Sequence, residues 1–187
     1  MRQPVLLAIA CAASLVACAG DDADKTRVKE TTRPSYDKTT GRLTQLTYDA
    51  NKNGKIDTWT DMDGSRPLRS RIDSNEDGVI DRWEYYDRTG AIVKVGTSRG
   101  NNGKPDTWAY PGPDGKTQRI ESSSVSDEAK IDRWEEYTGG VLTALAFDEN
   151  GDGKPDRRLT YEAGRLVLIE SEPDAAGRYQ KQVRPDR

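Results

Sequence analysis

From Asp73 to Glu84 the chain reads Asp73-Ser-Asn-Glu-Asp77-Gly-Val-Ile-Asp81-Arg-Trp-Glu84, and the rest of its 187 residues can be understood from this segment. Asp or Asn stands at positions 1, 3 and 5, Gly at position 6, Asp at position 9 and Trp at position 11. Four further windows align with it, at 49–59, 98–108, 124–134 and 148–158, and all five have Asp at position 9. The five window starts are 24, 25, 26 and 24 residues apart. This register indicates an internal repeat.

The residues between two windows identify the type of secondary structure. About 13 residues separate successive windows, and a Gly-containing turn divides them into two short halves. Each half is too short for a helix of three turns but suits a strand of five or six residues. Segments such as Leu43–Tyr48 and Val141–Phe147 are also rich in β-branched and large apolar residues, as strands are. We predict an all-β fold, an antiparallel meander of repeated β-hairpins of about 24–26 residues that spans residues 36–170.

Strand alternation places the tryptophans of the windows on one face of the predicted sheet. The expected row contains Trp59, Trp83, Trp108 and Trp134. Only 33% of the chain is hydrophobic, below the roughly 45–50% of ordinary globular proteins, so these rings are needed as core. The other interpretation is a platform for sugar rings, since the aromatic repeat hairpins of choline- and glycan-binding modules are similar. We favour the core.

The 73–84 segment resembles the EF-hand calcium loop, in which the Asp/Asn/Gly pattern is followed by Glu at position 12. Calcium takes six to eight oxygen ligands. The resemblance implies side-chain ligands at positions 1, 3, 5, 9 and 12 and the backbone carbonyl of position 7, namely Asp73, Asn75, Asp77, Asp81, Glu84 and Val79. Because Glu84 is expected on a strand, it is the ligand in doubt.

Two other windows keep most of this pattern but lack the final Glu. Their implied ligands are Asp148, Asn150, Asp152, Lys154 and Asp156 in one, and Asp49, Asn51, Asn53, Lys55 and Asp57 in the other. They resemble the incomplete calcium loops of thrombospondin type 3 and dockerin repeats, which borrow ligands from elsewhere. The windows that begin at Ser98 and Ser124 are degraded, and we expect no tight calcium binding there. The alternative for every window is that Asp, Asn and Gly simply form good turns.

The first residues predict export. A positive Arg2 precedes an apolar run of about 12 residues, Val5 to Val16, which is the length of a signal-peptide core rather than a membrane span. The string Leu15-Val16-Ala17-Cys18 resembles the lipobox of bacterial lipoproteins. The resemblance implies a signal peptide at 1–17, acyl chains on Cys18 and, because Ala19 rather than Asp follows, the outer membrane, with the membrane face left open. We expect a flexible tether over 18–35 and a loose tail over 171–187.

The composition argues against several functional classes. The chain has no His and a net charge of -3, and no basic stripe suggests nucleic acid. No enzyme motif is present, so we expect no catalytic activity. We therefore expect an exported, membrane-anchored lipoprotein with a calcium-binding β-repeat domain and a structural or interaction role at the cell envelope. The alternative is a glycan- or cell-wall-binding lipoprotein that uses the tryptophan row, so the expected partners are the membrane and an envelope protein or polysaccharide.

Overall fold

The computed structural model describes residues 31–125, 127 and 130–185, which form one antiparallel sheet of thirteen strands in chain order. The strands are β1 (Thr32–Tyr36), β2 (Leu43–Tyr48), β3 (Thr58–Asp63), β4 (Arg66–Ile72), β5 (Arg82–Tyr86), β6 (Ile92–Thr97), β7 (Thr107–Pro111), β8 (Thr117–Ser122), β9 (Arg133–Thr138), β10 (Val141–Phe147), β11 (Arg157–Glu162), β12 (Arg165–Pro173) and β13 (Tyr179–Val183). The predicted all-β meander of hairpins is confirmed. Among the described residues, no helix has the length and apolarity needed to cross a membrane.

Two kinds of connection alternate along the meander. Short turns join each odd strand to the next even strand, as at Asp87–Gly90, where the Asp87 carboxylate accepts the Thr89 N–H at 2.7 Å and Gly90 has a φ of 87°. The five longer windows join each even strand from β2 to β10 to the next odd strand, while a short turn at 174–178 joins β12 to β13. Because the strands are antiparallel, all five windows lie side by side at the same end of the strands. We call this row of loops the loop edge: 49–57, 73–81, 98–106, 123–132 and 148–156.

The sheet is wider than the predicted 36–170 domain. Strand β1 lies almost wholly in the predicted tether and pairs with β2, while β12 and β13 occupy much of the predicted tail. Most side chains of β1 and β13 are exposed. These outer strands are therefore fixed mainly by backbone pairing, which a polar composition does not reveal. The signal peptide, Cys18 and the rest of the tether before residue 31 lie outside the described residues.

The four tryptophans lie in one row across the sheet, as the strand alternation predicts. Successive cross-strand partners are Trp59, Arg71, Trp83, Gly96, Trp108, Glu121 and Trp134. A tryptophan is thus present on every second strand from β3 to β9, and we call this side of the sheet the tryptophan face. Trp83 and Trp108 are each 8% exposed and belong to the core, together with Ala144 and Leu145. The interpretation of the row as core therefore holds for its two central members.

Candidate functional site

The Asp at position 9 closes each loop of the loop edge through a hydrogen bond. Its carboxylate accepts the backbone N–H of the residue at the start of the coil in all five loops, from Ala50, Ser74, Arg99, Ser124 and Glu149, at 2.6–3.1 Å. The N–H of the same Asp donates to the preceding strand, as from Asp81 to the Ile72 carbonyl at 3.0 Å. This role requires no cation, so it explains why Asp recurs at position 9 even in the degraded windows. The sequence pattern identified this Asp as a calcium ligand but did not predict its hydrogen bond to the start of the loop.

Positions 1, 3 and 5 form the coil of the loop through hydrogen bonds to its own backbone. In the second loop, the Asp73 carboxylate accepts the N–H groups of Asp77 (3.2 Å) and Gly78 (2.8 Å). Asn75 accepts the N–H of Asp77 at 3.1 Å, and Asp77 accepts that of Val79 at 2.8 Å. Side-chain oxygens at these three positions are therefore turned onto the loop, as the calcium-loop resemblance implies.

The same coil is present in the first and fifth loops. The position-1 carboxylates of Asp49 and Asp148 accept the N–H of the position-6 glycines at 2.8 and 2.7 Å. The oxygens of positions 3 and 5 accept the N–H two residues further on: Asn53 and Lys55 donate in loop one, Asp152 and Lys154 in loop five. The structure thus gives positions 1, 3, 5, 6 and 9 the same local roles in three loops. The turn interpretation accounts for these hydrogen bonds without a cation.

The fourth loop begins one residue earlier than its sequence alignment predicts. The N–H of Ser123, rather than that of Ser124, donates to Asp106 of the preceding loop at 2.8 Å, just as the N–H of Asp73 donates to Asp57. The Ser123 hydroxyl, which is fully buried, accepts the N–H groups of Val125 and Asp127 at 3.3 Å. Ser123 therefore occupies position 1, and this loop contains one extra residue before Asp132. The backbone register across the sheet fixes this assignment, which sequence spacing alone could not.

Neighbouring loops touch through polar side chains. Glu76 of the second loop accepts hydrogen bonds from the amides of Asn51 and Asn53 in the first loop. Asp77 accepts one from Asn101 of the third loop. The hydrogen bonds from Asn101 and the Val79 N–H hold the pKa of Asp77 below its ordinary value. Carboxylate and amide oxygens of adjacent loops thus lie together along the loop edge.

The Glu84 carboxylate accepts hydrogen bonds from side chains of its own strand, β5. One of its oxygens accepts the Arg82 Nε–H at 2.9 Å, and the other accepts the Tyr86 hydroxyl at 2.8 Å. The Tyr86 hydroxyl also lies 3.0 Å from the buried Ser70 hydroxyl. Burial and the Glu84 carboxylate raise the pKa of Tyr86 to about 12. Among the predicted calcium ligands, Glu84 therefore has the least support, because its carboxylate is directed to Arg82 and Tyr86 of its own strand rather than onto the loop.

An Arg-x-Glu-x-Tyr motif underlies this contact, and the repeat contains it twice. Arg133, Glu135 and Tyr137 on β9 form the same contacts, with Arg133 Nε 2.9 Å from Glu135 and the Tyr137 hydroxyl donating to it. Burial and Glu135 raise the pKa of Tyr137 to about 12. The strand sequences Arg-Trp-Glu-Tyr-Tyr and Arg-Trp-Glu-Glu-Tyr carry this signal. Its role is to satisfy polar groups on the face opposite the tryptophans.

The chemistry of the loop edge fits calcium in part. Within the described ranges 31–125, 127 and 130–185, no three acidic side chains form a cluster of the kind that holds a metal ion. A site at a loop must therefore combine carboxylates with Asn oxygens, a backbone carbonyl and water, all of which calcium accepts. Each carboxylate oxygen has more than one lone pair, so an accepted N–H does not exclude a metal bond. The second loop offers Asp73, Asn75, Asp77, Val79 and Asp81 for such a set without Glu84, but its three carboxylates would have to move closer together to share one ion.

The tryptophan face is partly closed by its own side chains. The Lys94 Nζ lies 3.6 Å from the centroid of the Trp108 ring, and the Tyr85 ring lies 6.0 Å from Trp108 at an angle of 54°. Trp59 and Trp134 are only half-buried. The four rings are therefore not equally available to a ligand.

Comparisons with known proteins identify no family for this chain. No family model matches it, and no curated protein matches it. A solved structure described as the "Crystal structure of accessory secretory protein 1,2 and 3 in Streptococcus pneumoniae" has a TM-score of 0.30 and 11% identity, over 57% of this chain and 17% of the other. At that TM-score the similarity supports no statement about fold or function.

Proposed function

We propose that this protein is an exported, lipid-anchored module of the cell envelope whose β-repeat domain binds calcium along its loop edge. The observation that carries the calcium proposal is the shared coil of loops one, two and five. In each of them, oxygens of positions 1, 3 and 5 are turned onto one tight loop that an Asp at position 9 closes. The biological role that follows is structural or interactive, with the sheet as scaffold.

The second loop is the strongest candidate site. Asp73, Asp77 and Asp81 would supply three carboxylates, and the Asn75 amide oxygen and the Val79 carbonyl complete a set of five groups. Because the three carboxylates do not form a metal-holding group in the structure, the proposal requires them to move together around the ion. Calcium needs six to eight oxygens, so water supplies the remainder. When bound, calcium neutralises the repulsion among the carboxylates of one loop. With few protein ligands and no bidentate Glu, the expected affinity is that of extracellular modules, about 10⁻⁴–10⁻³ M.

The first loop has a means of compensating for its missing acidic ligands. It carries Asn51 and Asn53 where the second loop has Asn75 and Asp77, so it has fewer carboxylates of its own. Glu76 of the second loop already lies against both of these amides. The Asn51 and Asn53 oxygens already face the coil, and the Glu76 carboxylate beside the same side chains would join them at one cation. This arrangement matches the borrowed ligands that the resemblance to incomplete calcium loops implies.

Calorimetry with a pair of matched variants tests calcium binding against the turn interpretation. We would titrate calcium chloride into the chain from residue 18, with Cys18→Ser, and compare Asp77→Asn with Asp77→Ala. Asn preserves the acceptor for the Val79 N–H but removes the charge, whereas Ala removes both. Calcium binding predicts that Asp77→Asn weakens affinity while leaving the metal-free stability nearly unchanged. If no heat of binding appears for the parent chain, the loops are hydrogen-bonded turns only.

The lipid anchor is tested separately at Cys18. In a bacterial host, the parent chain should take up a labelled fatty acid and sediment with membranes. Cys18→Ser should lose the label and appear in the soluble fraction. Labelling of the Ser variant at an equal level would contradict the proposed anchor but would leave the calcium proposal unaffected.

Burial of two of the four tryptophans restricts the number of rings that the glycan-binding alternative can use. A platform that used Trp59, Trp83, Trp108 and Trp134 together would need four accessible rings. Trp83 and Trp108 are 8% exposed, and Lys94 covers Trp108, so these two rings serve as core. A cleft lies beside the half-buried Trp134.

A further inference from the structure

A cleft of about 250 Å³ opens on the tryptophan face next to Trp134. Its lining combines one indole, one phenol, small apolar side chains and three charged groups: Arg119, Trp134, Glu136, Ala144, Ala146, Pro155, Arg158 and Tyr179. We propose that this cleft binds one uncharged sugar ring, stacked on Trp134 and hydrogen-bonded through its hydroxyls to Glu136 and Arg158. The proposal narrows the glycan alternative to a single tryptophan and does not rest on calcium binding.

The cleft exists because β10 presents small residues beside Trp134. Ala146 is the cross-strand partner of Trp134 on one side and of Arg158 on the other. Ala144 lies between Glu136 and Thr160 in the same way. Two methyl side chains thus form the floor of a trough between larger groups on β9 and β11. Pro155 of the fifth loop and Tyr179 of β13 complete the lining.

The repeat also explains why Trp134 is uncovered while Trp108 is covered. Lys94 and Arg119 occupy equivalent positions on β6 and β8, opposite Tyr85 and Tyr110. Lys94 leans forward over Trp108, at 3.6 Å from the ring centroid. Arg119 instead lies over Tyr110, with its Cζ 4.1 Å from that centroid. Arg119 therefore packs on the Tyr110 ring and lines the cleft beside Trp134.

The charges of the cleft favour an uncharged, hydroxyl-bearing ligand. Arg158 is paired with Glu136 at 3.0 Å, and Arg119 with Glu121 at 3.4 Å. Each guanidinium thus has a carboxylate partner, so the cleft offers both donors and acceptors without a net excess of positive charge. Arg158 and Glu136 are 41% and 56% exposed and can reach a ligand. A sugar ring matches this arrangement, because it has an apolar face for the indole and hydroxyls at its rim.

The size of the cleft limits the ligand. Small-molecule pockets commonly have volumes of about 300–1,000 Å³, and this cleft lies just below that range. It therefore accommodates one ring of a saccharide, with any further rings outside. We expect weak binding to a single ring, and strength in the cell would come from several contacts along a polymer.

Saturation-transfer NMR with defined sugars tests the proposal. The probes are the methyl glycosides of glucose, galactose and mannose, N-acetylglucosamine, and glucuronate as the anionic comparison. The protein is the chain from residue 18 with Cys18→Ser, in buffer that contains calcium so that the loop edge is in the same state in every sample. We expect transfer to the ring protons of at least one uncharged sugar.

Three variants make the result specific to the cleft. Trp134→Leu removes the stacking surface, and Ala146→Leu fills the trough while leaving Trp134 in place. Both should weaken the transfer signal or the affinity by about tenfold or more. Trp59→Leu is the matched control, because Trp59 is another half-buried member of the same row, and it should bind as the parent does. Folding of each variant is checked by far-UV circular dichroism.

Several outcomes would overturn the proposal. One is the absence of transfer to every uncharged sugar. Another is equal binding by Trp134→Leu and the parent, or a loss in Trp59→Leu as large as that in Trp134→Leu. A preference for glucuronate would show that the paired arginines select an anion instead. None of these results bears on calcium binding, which is measured by calorimetry.

Discussion

The indole of Trp108 packs directly on the backbone of Gly96, its cross-strand partner. A Cβ at position 96 would lie 2.6 Å from Cζ3 of the ring, well inside van der Waals contact. Gly96 does not have a positive φ, so a close approach rather than backbone conformation requires the glycine. We predict that Gly96→Ala displaces Trp108 and lowers the free energy of unfolding by about 1–3 kcal/mol. Urea denaturation followed by tryptophan fluorescence measures the change.

A matched glycine controls for the general effect of an added methyl group. Gly112 also lacks a positive φ, and its nearest neighbour, Asp114 Oδ1, would lie 3.4 Å from the new Cβ. Gly112→Ala should change the free energy of unfolding by less than Gly96→Ala. Equal effects of the two substitutions would contradict the packing argument.

Lys94 is predicted to shield Trp108 from solvent and to stabilise it by a cation–π contact. Its Nζ lies 3.6 Å from the Trp108 ring and 5.6 Å from that of Tyr110. Lys94→Ala should cost about 0.5–2 kcal/mol of stability and make tryptophan fluorescence more sensitive to acrylamide. Lys116, in a turn, is a suitable control lysine, and Lys116→Ala should leave the quenching unchanged. Unaltered quenching in Lys94→Ala would show that other side chains bury the ring.

Asp106 is predicted to make the domain sensitive to acid. Its side chain is fully buried, and burial by itself raises the pKa of a carboxyl group. Hydrogen bonds from Arg99, Gly100 and Thr107 outweigh burial and hold the pKa of Asp106 below its ordinary value. Its stabilising contribution is therefore complete above about pH 4, the unfolded value, and is lost as pH falls through the folded pKa.

Urea denaturation at several pH values between 7 and 3 measures this dependence. Asp106→Asn keeps one acceptor oxygen but does not titrate, so the stability of this variant should fall less steeply with acid than that of the parent. Asp114→Asn, in an exposed turn, is the comparison variant that makes the same chemical change elsewhere in the chain. An unchanged slope in Asp106→Asn would remove Asp106 from the explanation.

Tyr86 is predicted to make the stability of the domain sensitive to alkaline pH. Burial and Glu84 raise its pKa to about 12, above the value of about 10 for an unfolded chain. A raised folded pKa gives a stabilising contribution that is full below pH 10 and is lost as pH rises towards 12. Tyr86→Phe should cost about 0.5–1.5 kcal/mol at neutral pH and lessen the alkaline loss. Phenolate absorbance during a pH titration identifies the late-titrating tyrosines, and Tyr86→Phe should remove one of them.

The repeat, the strand type and the coil of the loops follow from local chemistry, and the sequence therefore predicts them. The segments Leu43–Tyr48 and Val141–Phe147 are predicted at their observed bounds because short, β-rich halves around a Gly turn have few other conformations. The edge strands β1 and β13 are missed because backbone pairing, rather than composition, orders them. The ligand role predicted for Glu84 depends on the direction in which its side chain points from β5. The calcium-loop motif does not determine that direction.

The hairpin meander, the shared face of the four tryptophans and the Asp/Asn/Gly coils follow from the sequence, because each depends on strand periodicity or on contacts between residues close in the chain. Three features emerge only from the folded structure: Ser123 begins the fourth loop, Trp83 and Trp108 are buried, and Trp134 borders an open cleft. These features depend on which side chains face each other across neighbouring strands, between residues 10 to 17 positions apart in the chain in the pairs β6–β7 and β8–β9. The periodicity of a strand determines the face on which each of its side chains lies. It does not determine the size or the rotamer of the side chains on the adjacent strands.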